Sequence, residues 1–102
     1  MSDEGADNRQ RIDIWLYRAR FFKTRSQATQ CVESGKVRLT RSGQTQRVGR
    51  ASFLVSAHDE LVFKRGQELI RLRITDIGER RGPAQEARTL YEHLNPDLKK
   101  RD

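Results

Sequence analysis

Residues 11–37 read RIDIWLYRARFFKTRSQATQCVESGKV and carry the strongest structural signals in the chain. Four apolar residues near the start of this stretch have the i, i+3, i+4, i+7 spacing of a helix face that packs on a core. They are Ile12, Trp15, Leu16 and Ala19. The spacing predicts a first helix over residues 11–20. At ~100° per residue, Arg11 and Arg18 fall within about 20° of each other beside this face.

A second helix is predicted to begin at Thr24. Thr24 and Gln27 form the T-x-x-Q pattern of a capping box, in which the two side chains bind free amides at the helix start. The apolar face of this helix consists of Ala28, Cys31 and Val32. Gly35 ends it, at a position where a left-handed residue is favoured. We expect Cys31 to be a small buried hydrophobe and not a nucleophile, because no His lies near it in sequence.

Beyond Gly35 the pattern changes to that of short strands, followed by one more helix. The strand candidates are residues 36–40, 53–55, 60–64 and 68–77, with turn signals at Ser42-Gly43 and Arg65-Gly66. Pro83 suits a first helical position, and the apolar residues after it recur with helical period. They predict a third helix over residues 83–94, so the fold class is α+β: two N-terminal helices, a small sheet and a C-terminal helix.

These elements divide the 102-residue chain into four segments. They are a disordered N-terminal tail (1–10), a binding domain (11–77), a linker with the C-terminal helix (78–96) and a basic tail (97–102).

Positive charge is concentrated in one block of the sequence. Residues 11–50 hold ten Lys or Arg and only two acids, a net charge of +8, whereas the whole chain carries +7. A block of one sign creates a field directed at an anionic partner. Sixteen of the 21 basic residues are Arg, which contacts phosphate in a bidentate manner. The partners compatible with this block are nucleic acid, an anionic membrane and an acidic protein.

Several classes of protein are disfavoured by what the sequence lacks. Its only cysteine permits no intrachain disulfide, which suits a cytoplasmic protein. The longest run of apolar or aromatic residues is four (14–17), far below the ~20 of a membrane helix. We find no metal-ligand spacing, no phosphate-binding glycine loop and no catalytic pair of carboxylates, and therefore expect a non-catalytic protein without a metal or cofactor.

The predicted helix junction is the best candidate for a binding site. Cationic side chains meet the amides of Arg25, Ser26 and Gln27 there, and a helix start with free N–H groups favours anions. The bases that follow it on the next strand and turn extend the patch if that strand packs beside the second helix. A solvated charged face is the usual meaning of such runs, but the +8 excess favours binding. Asp13 is expected to form an ion pair with a nearby Arg, and Tyr17 either stacks on a base or is an ordinary surface tyrosine.

The stretches RIDIWL (11–16), TRSQA (24–28) and VESGKV (32–37) resemble the S4-type RNA-binding domain, a module named after a small-subunit ribosomal protein. Within that group, the stretches FKTR (22–25) and LYE (90–92) are similar to the family of ribosome-associated heat-shock proteins of about fifteen kilodaltons. The resemblance implies two helices on a small bent, mainly antiparallel sheet. It also implies binding of structured RNA, namely ribosomal RNA on the large subunit that still carries peptidyl-tRNA, in rescue and recycling under heat stress.

We therefore predict non-catalytic binding of structured RNA, mainly through shape and phosphate contacts. The RNA-binding residues that we predict are Arg11, Arg18, Lys23, Arg25, Ser26, Lys36, Arg38 and Arg41. Two alternatives stay open: a DNA-binding regulator that uses the two helices as a helix-turn-helix, and an accessory module of an RNA-modifying enzyme. Competition between duplex DNA and structured RNA separates the first of these from RNA binding.

Overall fold

The computed structural model describes residues 8–94. In chain order, the elements are β1 (Arg9–Arg11), α1 (Ile12–Arg18), α2 (Arg25–Glu33), β2 (Val37–Arg41), β3 (Gln44–Val48), β4 (Leu54–Ser56), β5 (Glu60–Arg65), β6 (Glu68–Ile74), α3 (Ala84–Ala87) and β7 (Tyr91–His93), with a 3₁₀ turn over Arg88–Leu90. The α+β class and the two N-terminal helices are confirmed. No helix among residues 8–94 is long and apolar enough to cross a membrane.

The two N-terminal helices pack on one face of the sheet. Trp15 and Leu16 of α1 and Ala28 and Val32 of α2 are fully buried with the inward residues of the strands. Phe21 closes the helix pair and is 6% exposed. The predicted cap is confirmed in part: the Thr24 hydroxyl accepts from the Gln27 amide at 3.1 Å, but the Gln27 side chain accepts from the Lys23 amide instead of closing the box on Thr24.

The main sheet has five antiparallel strands in the order β3-β2-β5-β6-β7, and β1 pairs separately with β4. Ser42 and Gly43 both have positive φ angles, 53° and 80°, as the tight two-residue hairpin between β2 and β3 requires. Side chains alternate along the strands, so that Val37 and Leu39 point into the core while Arg38 lies on the outer face, away from the helices.

Both predicted tails lie largely outside the described residues. The exception is Arg9 and Gln10, which we predicted as tail and which form β1 by pairing with Ser56 and Val55. Because Arg11 is the last residue of this strand, it is not part of α1, and the predicted alignment of Arg11 with Arg18 on one helix face is wrong.

The C-terminal helix is present but much shorter than the predicted 83–94. It ends after Ala87, and Tyr91 to His93 form β7 beside β6. Leu90 is buried in the core, and its carbonyl accepts from the Thr75 amide at 2.9 Å. Pairing with the open edge of β6 satisfies backbone groups that a longer helix would leave unpaired there, and this gain outweighs the local helical spacing.

Arginine side chains fasten the predicted linker to the end of α1. Arg18 donates to the carbonyl of Gly78 at 2.8 Å, and Arg20 donates to that of Gly82 at 2.6 Å. Arg81 donates to the Tyr17 carbonyl, and its guanidinium lies 4.7 Å from the centre of the Tyr17 ring. The segment is therefore fixed to the domain, and one face of Tyr17 is covered.

Candidate nucleic-acid interface

Asp13 organises the junction between α1 and α2. Its side chain is 1% exposed and accepts two hydrogen bonds from Arg11, at 3.1 and 3.0 Å. The hydroxyl of Thr29 on α2 donates to the same carboxylate at 3.0 Å, and the Arg25 guanidinium lies 3.8 Å from it. The predicted ion pair of Asp13 is thus confirmed, and it links both helices and β1.

The carboxylate of Asp13 stays ionised despite its burial. Burial by itself raises its pKa, but the hydrogen bonds from Arg11 and Thr29 and the charge of Arg11 outweigh that effect, and the pKa lies below its usual value. The same contact raises the pKa of Arg11. An ionised Asp13 fixes Arg11 by two hydrogen bonds and attracts Arg25, and the side chains of these arginines remain 42% and 53% exposed.

The start of α2 completes this cluster. Lys23, Arg25 and Ser26 are all exposed there. The amides of Arg25 and Ser26 belong to the first turn, which has no intrahelical acceptor for them. The Gln27 amide, which we also expected to be available, is occupied by Thr24. An open depression beside these groups is lined by Arg11, Asp13, Arg25, Ser26, Thr29 and Gln30. We call Arg11, Lys23, Arg25 and Ser26 the junction cluster.

Two of the predicted site residues are engaged in holding the fold together. Arg18 faces the carbonyls of residues 77 and 78, away from the junction cluster. Arg41 forms a bidentate pair with the buried carboxylate of Asp59 at 2.9 and 2.7 Å and also donates to the Leu54 carbonyl. The hydrogen bond to Asp59 raises the pKa of Arg41. Both arginines therefore connect segments that are distant in sequence.

Lys36 and Arg38 are exposed, but they lie at the opposite end of α2 from the junction cluster. A nine-residue helix is about 13 Å long, so the predicted single patch is divided into two groups of cations.

Sequence reasoning missed Arg47. It lies directly opposite Arg38 in the β2–β3 hairpin and is also exposed. The predicted turn at Ser42-Gly43 held the necessary signal, because a two-residue turn fixes the register of the strands that flank it.

Cys31 is only partly buried, contrary to our expectation of full burial. Its sulfur lies 3.9 Å from the Lys64 carbonyl, and burial raises the pKa of the thiol. A raised pKa keeps the sulfur protonated and unreactive at neutral pH. Within residues 8–94, no three His, Cys, Asp or Glu side chains are arranged to hold a metal ion.

The sequence is similar to a known domain family and to several known proteins. The family model of the S4 domain matches residues 10–40. The heat shock protein 15 homolog of Aeromonas salmonicida is 40% identical over 91 residues, which are 89% of this chain and 65% of that protein. The RQC P-site tRNA stabilizing factor of Halalkalibacterium halodurans is 38% identical over 82 residues, 80% of this chain and 86% of that protein.

A solved structure has the same fold. The trimeric structure of Vibrio cholerae heat shock protein 15 aligns with a TM-score of 0.75 and 32% identity, over 91% of this chain and 89% of that one.

Proposed function

The chain belongs to the heat shock protein 15 family, and from this premise we propose that it binds structured RNA on the ribosome through the junction cluster. The observation that carries the proposal is the convergence of Arg11 and Arg25 on the buried Asp13. Arg11 is held by two hydrogen bonds to the carboxylate and Arg25 is attracted to it at 3.8 Å, while about half of each side chain faces solvent. Arginines that are positioned before binding lose less conformational entropy when they contact a phosphate.

The chemistry of the cluster fits a phosphate group of an RNA backbone. Arg25 and the first-turn amides can donate to its oxygens together, with the partial positive charge of the helix start behind them. The Ser26 hydroxyl lines the same depression and adds a donor, and the exposed Lys23 adds a positive charge two residues before Arg25. Binding by such contacts depends on the shape of the backbone more than on base sequence, as is usual for RNA helices.

We further propose that the RNA is ribosomal RNA of the large subunit, close to a bound peptidyl-tRNA. This rests on the resemblance to the fifteen-kilodalton family and on the name of the RQC P-site tRNA stabilizing factor. The chain spans 65% of the length of the Aeromonas relative, so the activity of that whole protein is not transferred to this chain as a fact. A role in ribosome rescue after heat stress is therefore part of the same proposal. The proposal also includes a non-catalytic role in the cytoplasm.

Two measurements test these proposals. Fluorescence anisotropy with an RNA duplex and a DNA duplex of equal length and equal salt should show tighter binding of the RNA. Equal affinities, or a preference for DNA, would favour the regulator alternative.

Sedimentation of purified large and small ribosomal subunits with the protein should place it on the large subunit, and Arg25→Ala should reduce the fraction of the protein that sediments with that subunit. Equal association with both subunits would refute the large-subunit proposal.

A further inference from the structure

The outer face of the five-stranded sheet carries a row of cations that crosses four strands. Register places Arg47 of β3 opposite Arg38 of β2, Arg38 opposite Val62 of β5, and Val62 opposite Arg71 of β6. Directly paired residues share a face, so all four point away from the helices. With strands about 4.8 Å apart, the row is about 14 Å long. We call these four residues the sheet row.

The arginines of the sheet row have no carboxylate partner among residues 8–94. A neighbouring arginine on the same face, in contrast, has two carboxylate partners. Arg73, two residues after Arg71 on β6, lies between Glu60 at 3.2 Å and Glu92 at 3.4 Å. Like charges placed directly opposite each other, such as Arg38 and Arg47, destabilise a sheet. The fold alone therefore gives no reason for this row, whereas an anionic partner would offset its cost.

A shallow groove continues the sheet row toward the end of α2. Its lining includes the bases Lys36 and Lys64 and the aliphatic side chains of Val62 and Leu69. The Leu69 side chain is 52% exposed, which makes it one of two large apolar residues open to solvent in the described part of the chain. The groove combines positive charge with a small apolar surface, and it lies about a helix length from the junction cluster.

We propose that the sheet row and this groove form a second RNA-binding surface, which contacts the backbone of an RNA segment other than the one at the junction cluster. The inference rests on the proposed RNA binding and extends it to a second face of the domain. Each of the three guanidiniums can make a bidentate contact with a phosphate. Because they lie in a line, they can contact several phosphates along one RNA strand. An acidic protein segment is the competing partner, and only RNA binding at this surface lets one protein hold two RNA duplexes at once.

The test uses two RNA duplexes, one with a donor dye and one with an acceptor dye, mixed with limiting amounts of the full chain. A protein with two RNA surfaces brings the duplexes together, and energy transfer should appear. Arg47→Gln/Arg71→Gln should abolish the transfer while a single duplex still binds. Arg73→Gln, a change on the same face at a position already neutralised, should leave it intact. Arg47→Lys/Arg71→Lys should restore it in part.

A second measurement gives the size of the effect. In an Arg25→Ala background, Arg47→Gln/Arg71→Gln should lower the remaining affinity for one duplex by about 10- to 30-fold, as expected for two phosphate contacts at physiological salt. Transfer that persists in Arg47→Gln/Arg71→Gln, or its absence in the unmodified protein, would overturn the second surface and favour the acidic partner. If neither duplex binds at all, RNA binding itself fails, and that result is distinct from the loss of transfer alone.

Discussion

Asp13 is the residue on which the geometry of the junction cluster depends. Substitution by Asn keeps its size but removes the charge that holds Arg11 and Arg25. Because Arg11 is 42% exposed and solvent screens the pair, we expect unfolding free energy at pH 7 to fall by only about 1–2 kcal/mol, less than the ~1.5–3 kcal/mol of unscreened charged hydrogen bonds. Urea unfolding of Asp13→Asn measures this loss. Glu33→Gln, the same change at an exposed position of α2, is the control and should cost less.

The contribution of Asp13 should also depend on pH in one direction. Its folded pKa is lowered from 3.8, so its stabilising effect is complete above about pH 4 and is lost as pH falls through the folded pKa. The stability difference between the unmodified protein and Asp13→Asn should therefore shrink in acid. A difference that is equal at pH 7 and at about pH 2 would mean that hydrogen-bond geometry, and not charge, is responsible.

Arg25 is the residue that separates a defined phosphate site from diffuse attraction. Arg25→Ala should weaken RNA binding by roughly 1–3 kcal/mol, the range for charged hydrogen bonds, and Arg25→Lys should recover only part of the loss. Its charge opposes the helix dipole, and its ion pair is long and exposed, so stability should change by less than about 0.5 kcal/mol. Binding titrations and thermal melts measure both quantities.

The control for Arg25 is Arg88→Ala. Arg88 is an exposed arginine in the 3₁₀ turn, far from α2 in sequence, and its removal should have little effect on affinity. Equal losses for both variants would mean that only net charge matters, and a large fall in melting temperature for Arg25→Ala would make that residue structural.

At the scale of elements, the fastening of the linker to α1 gives a prediction that separates folding from binding. Arg18→Ala removes a charged donor to the Gly78 carbonyl, so we expect a loss of about 1.5–3 kcal/mol in stability. For a domain of this size, each kcal/mol lowers Tm by about 4–8 °C. Because Arg18 faces the linker, RNA affinity below the melting transition should stay within about twofold. This is a small change, since tenfold corresponds to about 1.4 kcal/mol. Unchanged Tm together with weaker RNA binding would instead assign Arg18 to the interface.

The sequence predicted α1, α2 and the hairpin turns because their signals are local: a helical apolar face, a capping threonine and a turn with residues that accept positive φ. It failed at Tyr91, where the structure is decided by the edge of β6, about twenty residues earlier in the chain. Local spacing cannot report such a contact, since strand formation depends on the partner strand.

In the candidate site, too, local signals were predicted from the sequence and tertiary contacts were not. Placement of Arg25 at a helix start follows from its position after Thr24, whereas the loss of Arg41 to the buried Asp59 is a tertiary contact that no local pattern indicates. The division of the cations between two ends of α2 likewise required the fold, because charge counting over residues 11–50 treats them as one block.

For the whole molecule, six of the ten bases in residues 11–50 lie in two places, three in the junction cluster and three (Lys36, Arg38 and Arg47) at one end of the outer sheet face. The buried carboxylates of Asp13 and Asp59 pair with Arg11 and Arg41, whose side chains are 42% and 43% exposed. What remains exposed on the two surfaces is cationic. A molecule with positive charge on two faces should interact with a polyanion largely through release of counterions.

The salt dependence of RNA binding should therefore report how many phosphates the protein contacts. If four to six phosphates are neutralised, log affinity should fall against log salt with a slope of about −3 to −5 for RNA. Anisotropy titrations with an RNA duplex from about 50 to 300 mM salt measure this slope. In an Arg25→Ala background, where the sheet row carries the remaining binding, Arg47→Gln/Arg71→Gln should reduce the magnitude of this slope by about 1.5–2, because two ion contacts are lost, and Arg73→Gln should leave it unchanged. A flat response would contradict a phosphate-dominated interface on either surface, and an equal reduction in Arg73→Gln would show that position on the sheet is irrelevant.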